Sequence, residues 1–231
     1  MIDKLLQHSY NFKLSHIPSA LSMLTYVDTL FSEKLIIPYR DRIVLGKPFG
    51  SQAYYLVWHK LGYIDNIDHL SIGVKHDEIP FVDYSEETMG NALGVAIGIA
   101  IARPEQKVWV NITDATLQMG STLEAIQYIG HHNIQNITVT VDYNDMQVTG
   151  ATSNVLDVKP VISLCTSSNW DVHINNGHEY SEIIMPWKAL DINTNPTIIF
   201  YKTIKGYGVN YMVDDPVKWH YKQISHYEKH A

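Results

Sequence analysis

Residues 107–112 read Lys-Val-Trp-Val-Asn-Ile and residues 137–141 read Ile-Thr-Val-Thr-Val. Both runs are too apolar to face water on either side, and the second is strongly β-branched, as in buried parallel strands. Between them, residues 117–131 are amphipathic at helical spacing, so the three segments form a strand–helix–strand unit. Moving outward, residues 42–46 read as a short strand ending in glycine, and residues 170–174 and 197–203 as two further buried strands. Helices are predicted over residues 18–31 (apolar at Leu21, Leu24, Val27 and Leu30), 51–61, 89–103 and 180–190. The 89–103 segment is built largely from Ala, Gly, Ile and Val. Its small residues on several faces suggest close burial against another element, and Pro104 follows it as a stop. Strands separated by helical stretches imply an α/β fold: a single domain, residues 1–231, with a mainly parallel central sheet flanked by helices. Residues 107–112 and 137–141 should be adjacent central strands. Residues 206–231 hold four Tyr, three His and one Trp, and read as an aromatic tail that packs on something.

Composition narrows the class. With 231 residues the chain can bury a sizeable core. Its 17 Lys+Arg against 24 Asp+Glu leave a net charge of −7, which argues against a nucleic-acid partner. Cys165 is the single cysteine, so no internal disulfide forms, which fits a reducing compartment. The longest apolar run, residues 92–102, is too short for a bilayer, which takes about 20 residues. The first 16 residues show no secretory leader pattern. These features together predict a soluble cytoplasmic protein with no membrane contact.

In parallel sheets, ligands bind beyond the carboxyl ends of the strands. Thr113-Asp114-Ala115 follows the first quoted run, and Asp142-Tyr143-Asn144-Asp145-Met146 the second. The side-chain oxygens of Asp114 and Asn144 can therefore converge at one sheet edge. A carboxylate and an amide oxygen, completed by a backbone carbonyl and phosphate oxygens, suit Mg²⁺. Spacing alone leaves a second reading open: Asp114 as a helix N-cap and Asn144 as a turn residue.

The two positions lie 144 − 114 = 30 residues apart. With Gly120, Glu124, Ala125 and Gly150, they resemble the thiamine-diphosphate motif, which runs from Gly-Asp-Gly to Asn at about this spacing. Further segments resemble transketolase in order along the chain. Ser15-His16-Ile17-Pro18-Ser19-Ala20-Leu21-Ser22 is similar to its Gly-His-Pro-Gly-Ser-Ser-Leu-Ser, and residues 41–45 to its Asp-Arg-Phe-Val-Leu. Residues 90–100 resemble its Gly-Gln-Gly-Leu-Ser helix, and Gly177-His178-Glu179 its Gly-His-Asp. Residues 202–209 resemble its Lys-Thr-Lys-Gly-Lys-Gly-Val run, and Trp219-His220 the Trp-His beyond it. The likeness is to the N-terminal, pyrophosphate-binding part of the family.

That resemblance implies a subunit of a split transketolase that binds thiamine diphosphate and Mg²⁺. A partner chain would supply the pyrimidine-binding half, in a hetero-oligomer with two copies of each chain. Together they would transfer a ketol or acyl unit between small-molecule substrates. Asp114, Asn144 and the carbonyl of Met146 would ligate the metal. Glu87, Thr88, Met89, Ala115 and His220 would join Asp114 and Asn144 around the cofactor. His16 and His220 would be the catalytic histidines.

The departures point the other way. Ala115 replaces a glycine, Phe49 stands where a phosphate-contacting His is expected, and Glu87 replaces a glycine with Glu86 before it. An inward carboxylate would repel a diphosphate: at about 4 Å and an effective dielectric of about 20, a like-charge pair costs about 4 kcal/mol. Turned to solvent it would cost little. Met119 stands where an acidic residue is often found. The alternative reading is a degenerate, non-catalytic homologue with a scaffolding or regulatory role.

Overall fold

The computed structural model describes residues 1–68, 70, 72–190 and 194–225. In chain order the elements are α1 (Ile2–Asn11), α2 (Ile17–Ser32), β1 (Arg42–Leu45), α3 (Gln52–Lys60), β2 (Tyr84–Ser85), α4 (Ala92–Ala102) and β3 (Val108–Thr113). After a 3₁₀ turn over Asp114–Gln118 come α5 (Gly120–His131), β4 (Ile137–Tyr143), a small hairpin of β5 (Met146–Gln147) and β6 (Gly150–Ala151), and α6 (Thr152–Val155). The chain continues through α7 (Lys159–Ser167), β7 (Asp171–Asn176), α8 (Tyr180–Ala189), β8 (Thr197–Lys202) and α9 (Asn210–Val213).

The main sheet runs β2-β1-β3-β4-β8-β7, with every neighbour parallel. β3 and β4 are adjacent and central, with Val110 beside Val139 and Ile112 beside Val141. The expected α/β architecture is therefore the one observed. Alternate residues of each strand feed two cores. Val108, Val110, Ile112, Val139, Val141 and Phe200 pack under α4, α5 and α7. Ile43, Leu45, Trp109, Ile199 and Tyr201 pack under α1, α2, α3 and α8. The second core also takes Met212 and Ile224 from the C-terminal stretch. Residues 226–231 of that predicted tail lie outside the described residues.

Asn111 sits in the middle of β3, fully buried, because its polar groups are answered. Tyr26 and Thr140 donate to its Oδ1 at 3.1 and 2.8 Å, and its Nδ2 donates to the Tyr54 hydroxyl. Gly130 is fixed by close approach: a Cβ there would sit 1.6 Å from the carbonyl oxygen of Ser168, at the end of α7.

Several expectations need correction. The helix expected from residue 117 begins at Gly120, because Asp114–Gln118 closes first as a tighter 3₁₀ turn. The 89–103 helix begins at Ala92, and Met89 lies in the loop before it. Its small residues are close-packed on one side only. Ala92, Ala96 and Ala100 meet the sheet, whereas Gly94 and Gly98 face open space and Ile101 is 59% exposed. The 170–174 run is an edge strand with Ile174 exposed, not a buried one.

Candidate cofactor-binding site

The carboxyl ends of β1, β3 and β4, with the 203–206 segment that follows β8, open into a cavity of about 680 Å³. β1 delivers Gly46, Lys47, Pro48 and Phe49, and the loop before α4 delivers Glu86 to Met89. Thr113 and Ala115 come from the end of β3, and Asn144 and Met146 from the end of β4. His16, Lys205, His220 and Tyr221 complete the walls. The structure thus brings together nearly all of the residues singled out in the sequence. The exception is Asp114, which is wholly buried beside the cavity while its neighbours Thr113 and Ala115 line it.

Asp114 is held by short bonds. Its Oδ1 accepts from the Ala115 amide at 2.7 Å and the Thr113 hydroxyl at 3.1 Å, and its Oδ2 from the Asp145 amide at 2.6 Å. Burial, helped by the nearby Asp142 carboxylate, pushes its carboxyl up to about 6. A divalent cation beside it would favour the ionised form. The local-cap and metal readings of Asp114 are therefore compatible: it braces the turns after β3 and β4 and still carries unused lone pairs.

Asn144 is oriented by its surroundings. Its Nδ2 donates to Asp142 at 2.9 Å and to Ser22 at 3.0 Å, and its Oδ1 accepts from the Met146 amide at 2.9 Å. The Met146 carbonyl accepts from Lys205 Nζ at 3.2 Å. Among the described residues no cluster of three or more His, Cys, Asp or Glu side chains could hold a metal. The available donors are oxygens alone, a carboxylate, an amide and a carbonyl, which suits a hard cation and not a thiophilic one.

Asp142 is the hub beneath these groups. It is fully buried and accepts from Ser22 Oγ at 2.8 Å, from Thr203 Oγ1, from Asn144 and from the Lys47 ammonium. Lys47 also donates to the Ser19 carbonyl at 3.1 Å. Lys205 lies 3.0 Å from His220 Nδ1, and burial with the nearby Lys47 charge brings its ammonium down to about 8. Sequence reasoning passed over Lys47, Asp142 and Lys205 as site residues. The signal was present: each is a charged side chain just at or beyond the carboxyl end of an apolar strand.

His16 caps α2 in a left-handed conformation, φ 58°. That backbone is pinned by its amide donating to the His220 carbonyl at 3.0 Å. Its ring stacks on Phe49 at 4.9 Å and meets the edges of His220 at 4.9 Å and Tyr221 at 5.1 Å. Burial, then the Lys205 and Lys47 charges, lower His16 to about 4. Burial first, then Lys205, His16 and Lys47, lower His220 to about 3. Both imidazoles are neutral at pH 7. His178 stacks on Tyr207 at 3.6 Å and accepts the Ile204 amide at 2.9 Å, which braces the segment carrying Lys205.

The two acidic residues before α4 behave differently. Glu87 lies at the cavity rim and is exposed to solvent, so its charge is screened there. Glu86 turns inward and is 3% exposed.

A family model described as the transketolase thiamine-diphosphate-binding domain matches residues 10–218. An apulose-4-phosphate transketolase subunit of Phocaeicola vulgatus is 26% identical, over 94% of this chain and 84% of that protein. The protein of the same name from Actinobacillus succinogenes is 28% identical, over 81% and 72%. Human transketolase-like protein 2 is 25% identical over 81% of this chain, which spans about a third (32%) of that longer protein. The transketolase of Leishmania mexicana shares the fold with a TM-score of 0.77 at 20% identity, over 90% of this chain and 37% of that one. No helix among the described residues is long and apolar enough to cross a membrane. The matched family model covers most of the chain, and the chain belongs to the N-terminal, thiamine-diphosphate-binding family of transketolases.

Proposed function

We propose that residues 1–231 form the diphosphate-binding half of a two-chain, transketolase-type transferase of the cytoplasm. The observation that carries this reading is the convergence of oxygen donors and buried ammonium groups on one cavity. The residues present fit the cofactor. Asp114, Asn144 and the Met146 carbonyl offer Mg²⁺ hard oxygen ligands, and Lys205, hydrogen-bonded to that same carbonyl, offers positive charge for phosphate oxygens. Thiamine diphosphate, when bound, supplies the thiazolium carbon that carries the transferred ketol or acyl unit.

The chain's own residues then bind and orient. Lys205 offers its charge to the diphosphate, Lys47 being paired with Asp142, while Thr88, Met89 and Ala115 wall the cavity. His16 and His220, both neutral near pH 7, can each accept or donate a hydrogen bond there. Phe49, stacked on His16, makes that wall apolar and excludes water from the imidazole.

Two relatives whose names make them one subunit of a transketolase support a partner chain. So do the exposed apolar side chains lining the cavity, Met89, Val148 and Tyr221. We take that partner to carry the pyrimidine half and the assembly to hold two copies of each chain, acting on a small-molecule substrate.

A non-catalytic scaffolding role is the second reading, favoured by Glu86, Phe49 and Ala115. Co-purification with a pyrimidine-domain partner, followed by calorimetric titration with Mg²⁺ and thiamine diphosphate, separates the two. Saturable binding that Asp114→Ala abolishes supports the enzyme. No heat at millimolar cofactor with the partner present leaves the scaffold.

A further inference from the structure

We propose that Glu86 is an affinity-limiting residue of the cofactor cavity: the chain places its own carboxylate at the amino end of α4, where it works against entry of a diphosphate. This rests on the cofactor reading above. Glu86 Oε1 accepts from the Gly90 amide at 3.2 Å, and Oε2 from the amides of Asn91 and Ala92 at 2.8 and 2.9 Å. Exposed amides at the start of an eleven-residue helix are a natural seat for a phosphate group. Here those amides already serve an internal anion.

The seat is built for it. Glu86 is anchored by its own amide donating to the Leu45 carbonyl at 3.1 Å. Gly46 leaves the space: a Cβ there would sit 3.1 Å from Glu86 Oε1 and 2.8 Å from both Ala92 Cβ and Ile112 Cγ2. Glu86 makes no ion pair among the described residues. Neither ammonium group of the cavity is paired with it: Lys47 is ion-paired with Asp142, and Lys205, still charged, bonds the neutral Met146 carbonyl and His220. A multiply charged anion entering the cavity therefore meets an uncompensated carboxylate in a partly desolvated wall, where charge interactions are weakly screened.

The test is calorimetric titration of the full chain with Mg²⁺ and inorganic diphosphate, comparing wild type, Glu86→Gln, Glu86→Thr and Asp114→Asn. Circular dichroism melts establish that each variant is folded. Removal of the charge tightens diphosphate binding about tenfold or more in Glu86→Gln. Glu86→Thr, which removes the carboxylate altogether, moves the same way and decides the matter if the Gln variant does not fold. A carboxylate that merely caps α4 predicts the opposite sign, because a frayed helix start loosens the wall. Equal or weaker binding in a folded variant, with wild-type binding still dependent on Asp114, overturns the proposal and leaves the cofactor reading intact. Absence of binding in every variant overturns both.

Discussion

At the scale of single residues, the site is a set of buried charges that hold one another. Asp142 has no solvent to fall back on, and four side chains depend on it. Removing one partner of a buried ion pair strands the other, which typically costs about 3–5 kcal/mol. Asp142→Ala is therefore expected to lower unfolding stability by about that amount, leaving Lys47 buried without its counter-ion. A urea midpoint unchanged from wild type would show that Lys47 finds another acceptor.

The histidines carry a pH signature. His16 and His220 are depressed to about 4 and about 3 in the folded chain, against an ordinary value near 6.5. Groups depressed on folding contribute stability that is present above about 6.5 and drains away as the pH falls through the folded values. Asp114, raised to about 6, works in the reverse sense, its contribution lost as the pH rises through that value. NMR of the imidazole protons should show both His rings still neutral at pH 5.5. Titration of either near 6.5 would mean that water reaches the ring and that the Lys205 and Lys47 charges are screened from it.

At the scale of elements, β3 and β4 were readable because an uninterrupted apolar run has one comfortable place in an α/β protein, the middle of a parallel sheet. The motif residues after them followed, since a strand's direction dictates which end its next residue occupies. The 3₁₀ turn over Asp114–Gln118 was not readable. It is imposed by Asp114 reaching across to the Asp145 amide, a contact between chain segments 31 residues apart. β7 looked like its neighbours in sequence but lies at an edge, because the order β4-β8-β7 is a matter of connection, not composition. Gly130 marks where α5 and α7 touch. Gly130→Ala should destabilise the chain by several times the usual point-mutant effect of about 1 kcal/mol, since the added methyl meets backbone and not a yielding side chain. Thermal melts of the variant check this, and a near-normal melting temperature would show that α7 can retreat.

At the scale of the whole molecule, the outward face of α4 is the clearest pointer to assembly. A Cβ added at Gly94 or Gly98 would meet nothing within 4 Å among the described residues, so the packing there does not require glycine at either position. Glycine inside an exposed helix costs about 1 kcal/mol relative to alanine. Gly98→Ala should therefore stabilise the isolated chain by about that amount while weakening its association if that face is an interface. Denaturant titration and sedimentation of the same variant read the two effects separately. A variant that is stabilised and assembles as wild type would leave the Gly94–Gly98 stripe without an assembly role.

Local pattern by itself determined the α/β class, the two central strands, and the placing of Asp114 and Asn144 at one sheet edge, because hydrophobic period and strand direction are properties of short segments. Likeness in ordered motifs added Met146, His16, His220 and the loop before α4. Only the tertiary structure decided which carboxylate of the Glu86–Glu87 pair turns inward, since adjacent residues of a loop differ in orientation and not in chemistry. It also decided that Asp142 ties α2, β1, β4 and β8 together, and that Lys205 meets the Met146 carbonyl. Those contacts join residues 59 to 120 positions apart, and their energies depend on burial and distance, which no local pattern encodes.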